Sequence, residues 1–343
     1  MRYLYAMLDK MKYTGIILLV SALAVAFSSC KKDDDETTFS EYMTGTLRFT
    51  KNVNSFLNRD EEITLTPTGI TEPENIGIYY YYTWNSDKDT TRVEGGEGDG
   101  TITIKVPHEL GEYTITCIGY AKGYYQSSVK ATFQVVSPEV NTTIKDAQLT
   151  TDSYRESDPR DGNIYYCTRE FPRWFKMNLA YSGSGVSYEY SPVMDMIFGK
   201  YYTWTEAQTA CPEGWELPSD ADFVELARKV SGKEDFKEHE EFKDVAGEFM
   251  VNALFNDSRM WEFWPQVKIT NSTGLCVIPT GYCTDMEGST RFSGLNTYAA
   301  FWTADEEGDN GFYRYIHVEN NNVMIGKGNK ESFRANVRCI RRK

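Results

Sequence analysis

Apolar and polar residues alternate along six short segments between residues 42 and 137, and turns rich in Gly, Pro, Asn and Asp separate them. A period of two is typical of strands that bury one face. Regular breaks without a helical period are typical of an antiparallel sandwich. The pattern therefore predicts an all-β sandwich over residues 42–137, with strands in these segments: TGTLRFT, EEITLTPT, IGIYYYYTW, GTITIKV, GEYTITCIGYA and SVKATFQVV.

A helical period appears in the second half of the chain. In TWTEAQTAC, the residues Trp204, Ala207 and Cys211 would share one face of a short helix. Ser219 can cap a second helix, whose apolar stripe continues through FVELARKV. Apolar residues also recur at helical spacing over residues 239–255, which predicts a third helix. The other segments are strand-like or rich in Gly and Asn, so this half is predicted to be α+β.

An apolar run over residues 15–27 follows two lysines and ends at Ser-Ser-Cys30. The run is too short for a comfortable membrane span, and it has the charged flank and small-residue end of a signal peptide. A cysteine directly after the small pair resembles a bacterial lipobox. We therefore expect residues 1–29 to be a lipoprotein signal peptide and Cys30 to carry the lipid. An ordinary signal peptide with an incidental cysteine is the alternative, and either Met1 or Met11 could be the start.

Two polar stretches divide the rest of the chain. Residues 30–41 begin CKKDDDETT and are too charged to pack, so they are predicted to be a tether. The acidic segment resembles the export signal of Bacteroidetes lipoproteins, which predicts a lipid-anchored, surface-exposed protein of the outer membrane. Residues 138–160 are polar and contain two prolines, which indicates a linker before a second domain at 161–343.

Composition narrows the function classes. The formal net charge of −14 argues against a nucleic-acid partner and against electrostatic adhesion to anionic lipid. Only three histidines are present, and none lies in a His-Glu-x-x-His or Cys/His metal pattern. A Gly-x-Ser-x-Gly turn and a phosphate-binding Gly loop are also missing. We therefore expect no catalytic residue, no metal and no cofactor, and we expect that the protein is not an enzyme.

Aromatic residues of the last third offer a candidate ligand site. Trp261 and Trp264, with Phe263, Trp302 and Tyr298, could line a glycan site because aromatic faces stack on sugar rings. Interior packing is the favoured alternative, since large aromatic side chains usually fill cores. We keep Trp261, Trp264 and Tyr298 as possible ligand-binding residues.

Five segments of the second domain carry a family resemblance. They are, in chain order, DGNIYYCTREFPRWFKMNLAY, TWTEAQTACPEGWELPSDADFVEL, TGLCVIPTGY, AAFWTADE and ANVRCIRR. Together they resemble the FISUMP domain, the Fibrobacter succinogenes major paralogous domain, with Leu275 where Phe is usual. The resemblance implies a C-type-lectin-like fold on a surface protein, and no agreed activity. The GEYTITC segment of the first domain looks like a strand of an immunoglobulin-like or PKD-like domain.

The cysteines permit a disulfide framework. If Cys30 is lipidated, six cysteines remain, and an even number in an exported chain permits three disulfides. The resemblance implies a bond between Cys211 and Cys339, because both lie in family motifs and lectin-like folds join the first helix to the last strand. Cys276 and Cys283 would close a small loop. The remaining pair, Cys117 with Cys167, rests on elimination and stays open.

These features favour a non-enzymatic cell-surface lipoprotein. Its sandwich would act as a spacer, and its lectin-like head would bind a glycan or a protein ligand in binding or adhesion. Two alternatives remain open. One is a carbohydrate-active enzyme on the same fold, and the other is a structural subunit of a surface appendage or complex.

Overall fold

The computed structural model describes residues 41–49, 54–84, 87–137, 144, 153–256, 258–261 and 267–343. The predicted signal peptide, the lipid-bearing Cys30 and all of the tether except its last residue lie outside the described residues. Within the described ranges, no helix is both long enough and apolar enough to cross a membrane.

The first half of the described chain is all-β, as the alternation predicts. Its strands are β1 (Thr44–Phe49), β2 (Phe56–Asn58), β3 (Glu62–Leu65), β4 (Pro67–Glu72), β5 (Gly77–Trp84), β6 (Asp87–Glu94), β7 (Ile102–Lys105), β8 (Gly111–Tyr120) and β9 (Ser127–Val136). Strands β2, β9, β8, β5 and β6 form a five-stranded sheet in that order, and the pairs β1–β4 and β3–β7 form two smaller sheets. We call this region the sandwich.

Strand β8 shows why the sandwich folds as its sequence predicts. Successive side chains of a strand point to opposite faces. In β8 this places Tyr113, Ile115 and Cys117 on the buried face, while the residues between them stay accessible. These three side chains pack with Phe133 and Val135 of β9 in one apolar core. Alternation alone is therefore sufficient to specify which face of β8 is buried.

The second half, which we call the head, mixes strands with short helices. Its strands are β10 (Ser153–Ser157), β11 (Ile164–Thr168), β12 (Arg173–Trp174), β13 (Tyr202–Thr203), β14 (Leu254–Phe255), β15 (Ser258–Arg259), β16 (Thr280–Met286), β17 (Ser289–Leu295), β18 (Tyr298–Glu307), β19 (Asn310–His317), β20 (Met324–Asn329), β21 (Phe333–Ala335) and β22 (Ile340–Arg341). Its α-helices are α1 (Asp195–Phe198), α2 (Trp204–Ala210), α3 (Asp220–Ser231) and α4 (Ala246–Phe249). Two short 3₁₀ turns, Tyr188–Tyr190 and Pro192–Met194, precede α1.

A central sheet organises the head. Its order is β13-β21-β16-β18-β19-β20, and β17 extends it by pairing with β16. One face of the sheet packs Phe301 and Ile316 in a core with side chains of α3. The opposite face packs Trp302 in a second core with side chains of α2. The two longer helices therefore cover opposite faces of the sheet.

Both of these helices begin at a capping box. The Thr203 hydroxyl accepts from the Glu206 amide, and the Glu206 carboxylate accepts from the Thr203 amide at 2.9 Å. Ser219 and Asp222 make the same reciprocal pair at the start of α3, which ends at Gly232 with φ +68°. A left-handed C-terminal residue favours glycine because it has no Cβ. Both helices form where the pattern predicts them.

The third predicted helix, over residues 239–255, is wrong. Only the single turn of α4 forms there, although the apolar side chains of the segment are buried as a helical stripe would be. The backbone bonds to strands instead, with Phe242 bridging Val323 and Met250 bridging Val277. The apolar spacing predicted correctly which side chains are buried, but the backbone of the segment is mostly an irregular loop.

Residues at the end of the predicted linker belong to the head. Strand β10 pairs antiparallel with β11 over its full length. The Glu156 carboxylate of β10 also forms an ion pair at 2.9 Å with Arg341, which lies near the end of the chain. The predicted linker 138–160 therefore contributes a strand to the head.

The sandwich and the head meet in a hydrophobic cluster that we call the joint. It consists of Phe56, Val136 and Ile144 packed with Tyr188, Phe198 and Phe255. The Phe56 amide donates to the Ser191 hydroxyl at 3.1 Å, and the Asn256 side chain donates to the Val135 carbonyl at 3.1 Å. The two halves are therefore held by direct packing and hydrogen bonds as well as by the connecting chain.

Candidate functional site

Five aromatic side chains form a closed circuit on one face of the central sheet. We call this surface the tyrosine face, and its members are Tyr282, Tyr298, Tyr315, Tyr313 and Phe333. Taken in that order around the circuit, neighbouring ring centroids lie 5.0, 4.8, 5.7, 4.6 and 5.3 Å apart. Each member is half-buried, so the circuit is supported from below and accessible from above.

Alternation in the two longest strands of the sheet creates this face. In β19, Tyr313 and Tyr315 point to one side, while Phe312, Arg314 and Ile316 are buried on the other. Strand β18 places Tyr298 on the same side as Trp302, which is fully buried in the core that includes side chains of α2. The face beneath α2 therefore continues as the tyrosine face.

Two glycines of β20 make room for the rings. Gly326 is paired with Tyr313, and a Cβ at Gly326 would lie 2.4 Å from Tyr313 Cζ. A Cβ at Gly328 would lie 2.5 Å from Phe333 Cδ1. Real Cβ atoms are not found at such distances, so both positions favour glycine because an aromatic ring leans across the strand. Rings that cover glycines in this way stabilise a sheet.

The tyrosine face carries phenol hydroxyls, and the imidazole of His317 lies at its edge, 5.8 Å from the ring centroid of Tyr298. Burial raises the pKa of Tyr298, and the neighbouring phenols of Tyr313 and Tyr315 raise it further. Burial also raises the pKa of Tyr313. Arg334 follows Phe333 in the chain but lies on the opposite face of the sheet, where it pairs with Asp285 and Glu206, each at 2.7 Å. With their pKa values raised, the phenols of Tyr298 and Tyr313 remain neutral at physiological pH and can both donate and accept hydrogen bonds.

The structure separates the aromatic residues that the sequence grouped. Trp261 is 1 % exposed, and its Nε1 donates to the Val277 carbonyl at 3.1 Å, so it is a core residue and its nomination as a ligand residue is wrong. Trp302 is likewise buried and donates to the Tyr202 carbonyl at 2.7 Å. Trp264 lies outside the described residues. Tyr298 alone lies on the half-exposed aromatic surface.

Sequence reasoning missed four of the five members of this face. Tyr282, Tyr313, Tyr315 and Phe333 lie on three different strands, and only the sheet brings them together. A signal was nevertheless present: FYRY in β19 places tyrosines at alternate positions, and GKG in β20 places glycines at alternate positions. Together these patterns indicate rings that lean over a neighbouring strand.

Comparison with known protein families shows to which family this chain is related. A family model, the Fibrobacter succinogenes major domain, matches residues 138–341. The chain belongs to this family. No curated protein matches it significantly. Among solved structures, the adhesin InvE of Yersinia pseudotuberculosis is similar with a TM-score of 0.24 and 10 % identity, over 88 % of this chain and 70 % of that chain. A similarity this low indicates neither a shared fold nor a shared function.

In this member of the Fibrobacter succinogenes major domain family, Cys211 and Cys339 form a disulfide with their Cα atoms 5.8 Å apart. The bond joins the end of α2 to the segment that leads into β22, as the resemblance implied. It closes a loop of 128 residues. Most of the family domain therefore lies between two covalently joined positions.

The predicted disulfide between Cys276 and Cys283 is wrong, and the pair that was left open does not form either. Cys276 and Cys283 are free and buried, and Cys276 Sγ accepts from the Asn271 side chain at 3.2 Å instead of meeting Cys283. Cys117 and Cys167 are also free, because each lies in the core of a different half. Burial raises the pKa of the Cys117 thiol to about 11. An even number of cysteines did not predict their pairing here.

The family domain also has a groove of about 460 Å³ beside α3. We call it the α3 groove. Helix α3 contributes Glu225, Leu226 and Lys229, and the opposite wall comes from residues 168–174. Residues 271–274 close the base. Across the whole described chain, no group of three or more His, Cys, Asp or Glu residues could hold a metal ion.

Proposed function

We propose that this protein is a non-enzymatic, lipid-anchored surface protein whose head binds a neutral glycan at the tyrosine face. The observation that carries the proposal is the closed circuit of five half-buried aromatic rings. Membership in the Fibrobacter succinogenes major domain family is compatible with it but assigns no ligand.

The chemistry of the face favours a sugar. Aromatic rings offer apolar surface to the C–H groups of a pyranose, and phenol hydroxyls offer donors and acceptors to its hydroxyl groups. Tyrosine also provides this mixed contact with little loss of conformational freedom, because it has only two side-chain torsions. None of the five members of the face is an acidic or a basic residue, so the rings themselves give no preference for an anionic or a cationic ligand. A neutral glycan therefore matches the surface better than a charged one.

The anchor and the outward orientation rest on the sequence. Cys30 follows a signal-peptide pattern and precedes an acidic tether. In our proposal, the tether leads to the sandwich, and the joint holds the head on the sandwich in a fixed orientation. Mass spectrometry of the membrane fraction should find Cys30 as a lipid-modified N-terminus, and protease treatment of whole cells should degrade the head. An unmodified N-terminus elsewhere would contradict the anchor.

A glycan array with the detergent-solubilised full chain tests the binding site. Tyr298→Ala and Tyr315→Ala should each weaken binding by at least about tenfold, because aromatic residues at the centre of an interface carry much of its energy. Tyr42→Ala is the matched control, since Tyr42 is an 81 % exposed tyrosine of the sandwich.

The alternatives give different results. If the ligand is a protein, no glycan on the array should bind. Pull-downs should then recover the ligand with the wild type but not with either of the two tyrosine variants. Release of shortened sugars from a bound polysaccharide would favour a carbohydrate-active enzyme. Normal glycan binding by both tyrosine variants would remove the tyrosine face from the proposal.

A further inference from the structure

The α3 groove has the dimensions of a small-ligand site. Its volume of about 460 Å³ lies in the usual range of roughly 300–1,000 Å³ for such sites. The groove is separate from the tyrosine face, because the two surfaces share no residue. A ligand that fits it must therefore be a short molecule or the end of a longer one.

The two walls of the groove carry opposite charges that are free to bind a ligand. The Arg169 guanidinium on one wall and the Glu225 carboxylate on α3 are exposed, and neither makes an ion pair or side-chain hydrogen bond with a described residue. The other charged groups that line the groove are already engaged, and the Lys176 ammonium donates to the Ser153 hydroxyl at 3.0 Å. Lys229 pairs with Glu170 at 3.1 Å across the groove, and Asp222 accepts from Arg342 at 2.5 Å. One cation and one anion therefore remain to meet a ligand from opposite sides.

The base of the groove is polar and well supported. Trp174, Lys176 and Thr273 line it and are more than nine-tenths buried. The Thr273 hydroxyl donates to the Glu248 carbonyl at 3.0 Å, and the Asn271 side chain bonds to Cys276 through both its oxygen and its nitrogen. These bonds hold the base rigid, and Leu226 and Pro172 add a small apolar area beside it. A ligand with amide groups and small apolar side chains suits this combination.

We propose that the α3 groove binds a short zwitterionic peptide. Arg169 binds its terminal carboxylate, and Glu225 binds its terminal ammonium group. A guanidinium is well suited to the first role because its planar fork binds a carboxylate with two parallel hydrogen bonds. The amides between the two ends lie over the polar base. The proposal is independent of glycan binding at the tyrosine face.

Calorimetry with the full chain and four related peptides tests the proposal. The peptides are trialanine, its N-acetyl form, its C-terminal amide and the form with both ends blocked. Blocking either end of trialanine should weaken binding by about tenfold or more, because each block removes a charge-assisted hydrogen bond. Binding of the doubly blocked peptide as tight as that of trialanine would overturn the proposal, and so would no binding of trialanine up to about 10 mM.

Crossing the peptides with variants assigns each end to its residue. In Arg169→Gln, amidation of the carboxylate should no longer change the affinity, whereas acetylation of the amine still should. In Glu225→Gln, the pattern should be reversed. Both residues are exposed, so the variants should fold normally, and their melting temperatures check this. Arg291→Gln and Glu287→Gln, which alter exposed charges of the β16–β17 hairpin, are the matched controls and should leave all four affinities unchanged. A loss of end selectivity in these controls would overturn the assignment.

Discussion

The sandwich and the head achieve stability by different means, although both are rich in β-structure. The sandwich core consists of alternating apolar side chains from its strands, and its cysteine is free. The head adds a disulfide and a buried ion pair between Arg314 and Asp220. The difference follows the backbone: a regular ladder satisfies its own amides and carbonyls, whereas irregular segments need side-chain partners.

The ion pair of the head shows how such a partner works. Asp220 accepts from Arg314 through both oxygens, at 2.6 Å each, and from the His239 amide at 2.7 Å. Arg314 also donates to the Glu240 carbonyl at 2.6 Å and lies 3.6 Å from the ring centroid of Phe242. The pair therefore attaches the irregular segment after α3 to the central sheet. Nothing comparable is required where β8 and β9 pair continuously.

Removal of the disulfide should cause the largest loss of stability in the head relative to the sandwich. A 128-residue loop contributes about 5 kcal/mol in the chain-entropy model. Cys211→Ser and Cys339→Ser should each destabilise the head by about that amount, and the double variant should add little, because both changes break one bond. Thermal unfolding with and without a reducing agent measures the effect. A transition that the reducing agent leaves unchanged would mean that packing alone holds the ends of the head.

Breaking the buried ion pair should have the next largest effect. Asp220→Asn leaves the Arg314 guanidinium buried without its counter-charge, which costs about 3–5 kcal/mol in comparable cases. Asp60→Asn is the control, because Asp60 pairs with Lys105 and His108 on the surface of the sandwich and should change the unfolding midpoint little. Equal effects of the two variants, measured by urea unfolding, would contradict the contrast between the halves.

The joint should determine whether the two halves unfold together. Phe56 lies between the rings of Tyr188, Phe198 and Phe255, with centroids 5.6, 6.4 and 6.3 Å away. Phe56→Ala should remove about 3 kcal/mol of packing. We expect calorimetry to show one transition for the wild type and two for the variant. Two transitions already in the wild type would mean that the joint does not couple the halves.

The same contrast explains what the sequence could predict. Alternation located six of the nine described strands of the sandwich, helical spacing located α2, and the Ser219 cap with helical spacing located α3, because these signals act within a few residues of the chain. The residues of the joint, by contrast, come from β2, β9 and several parts of the head, and no local pattern relates them. The helix predicted over residues 239–255 was wrong for the same reason, since contacts with distant strands determine the backbone conformation there.

The candidate sites follow this rule as well. Tyr298 could be nominated by residue type, but its neighbours Tyr282 and Tyr313 come from other strands and depend on the order of the sheet. Trp261 failed because a large aromatic side chain is as suitable for a core as for a ligand site. The α3 groove gave no signal at all, since Arg169 and Glu225 are separated along the chain by β12, α1, β13, α2 and the first part of α3.

The smallest expected effect is a pH-dependent change in stability, caused by Asp195 in the part of the head beside the joint. Asp195 opens α1, two residues before the buried Ile197, and its Oδ1 has no hydrogen-bond partner among the described residues. Burial raises the pKa of Asp195 to about 6. Because the folded state holds this proton more tightly than the unfolded state, protonation of the carboxyl favours folding. The contribution to stability is fully present below the unfolded pKa of about 3.9 and is lost as the pH rises through 6. Asp195→Asn should therefore leave the melting temperature nearly unchanged at pH 4 and raise it at pH 8. The gain should be about 1 kcal/mol, because solvent still screens part of the carboxylate. Equal melting temperatures for variant and wild type at both pH values would show that the head tolerates the ionised carboxylate without cost.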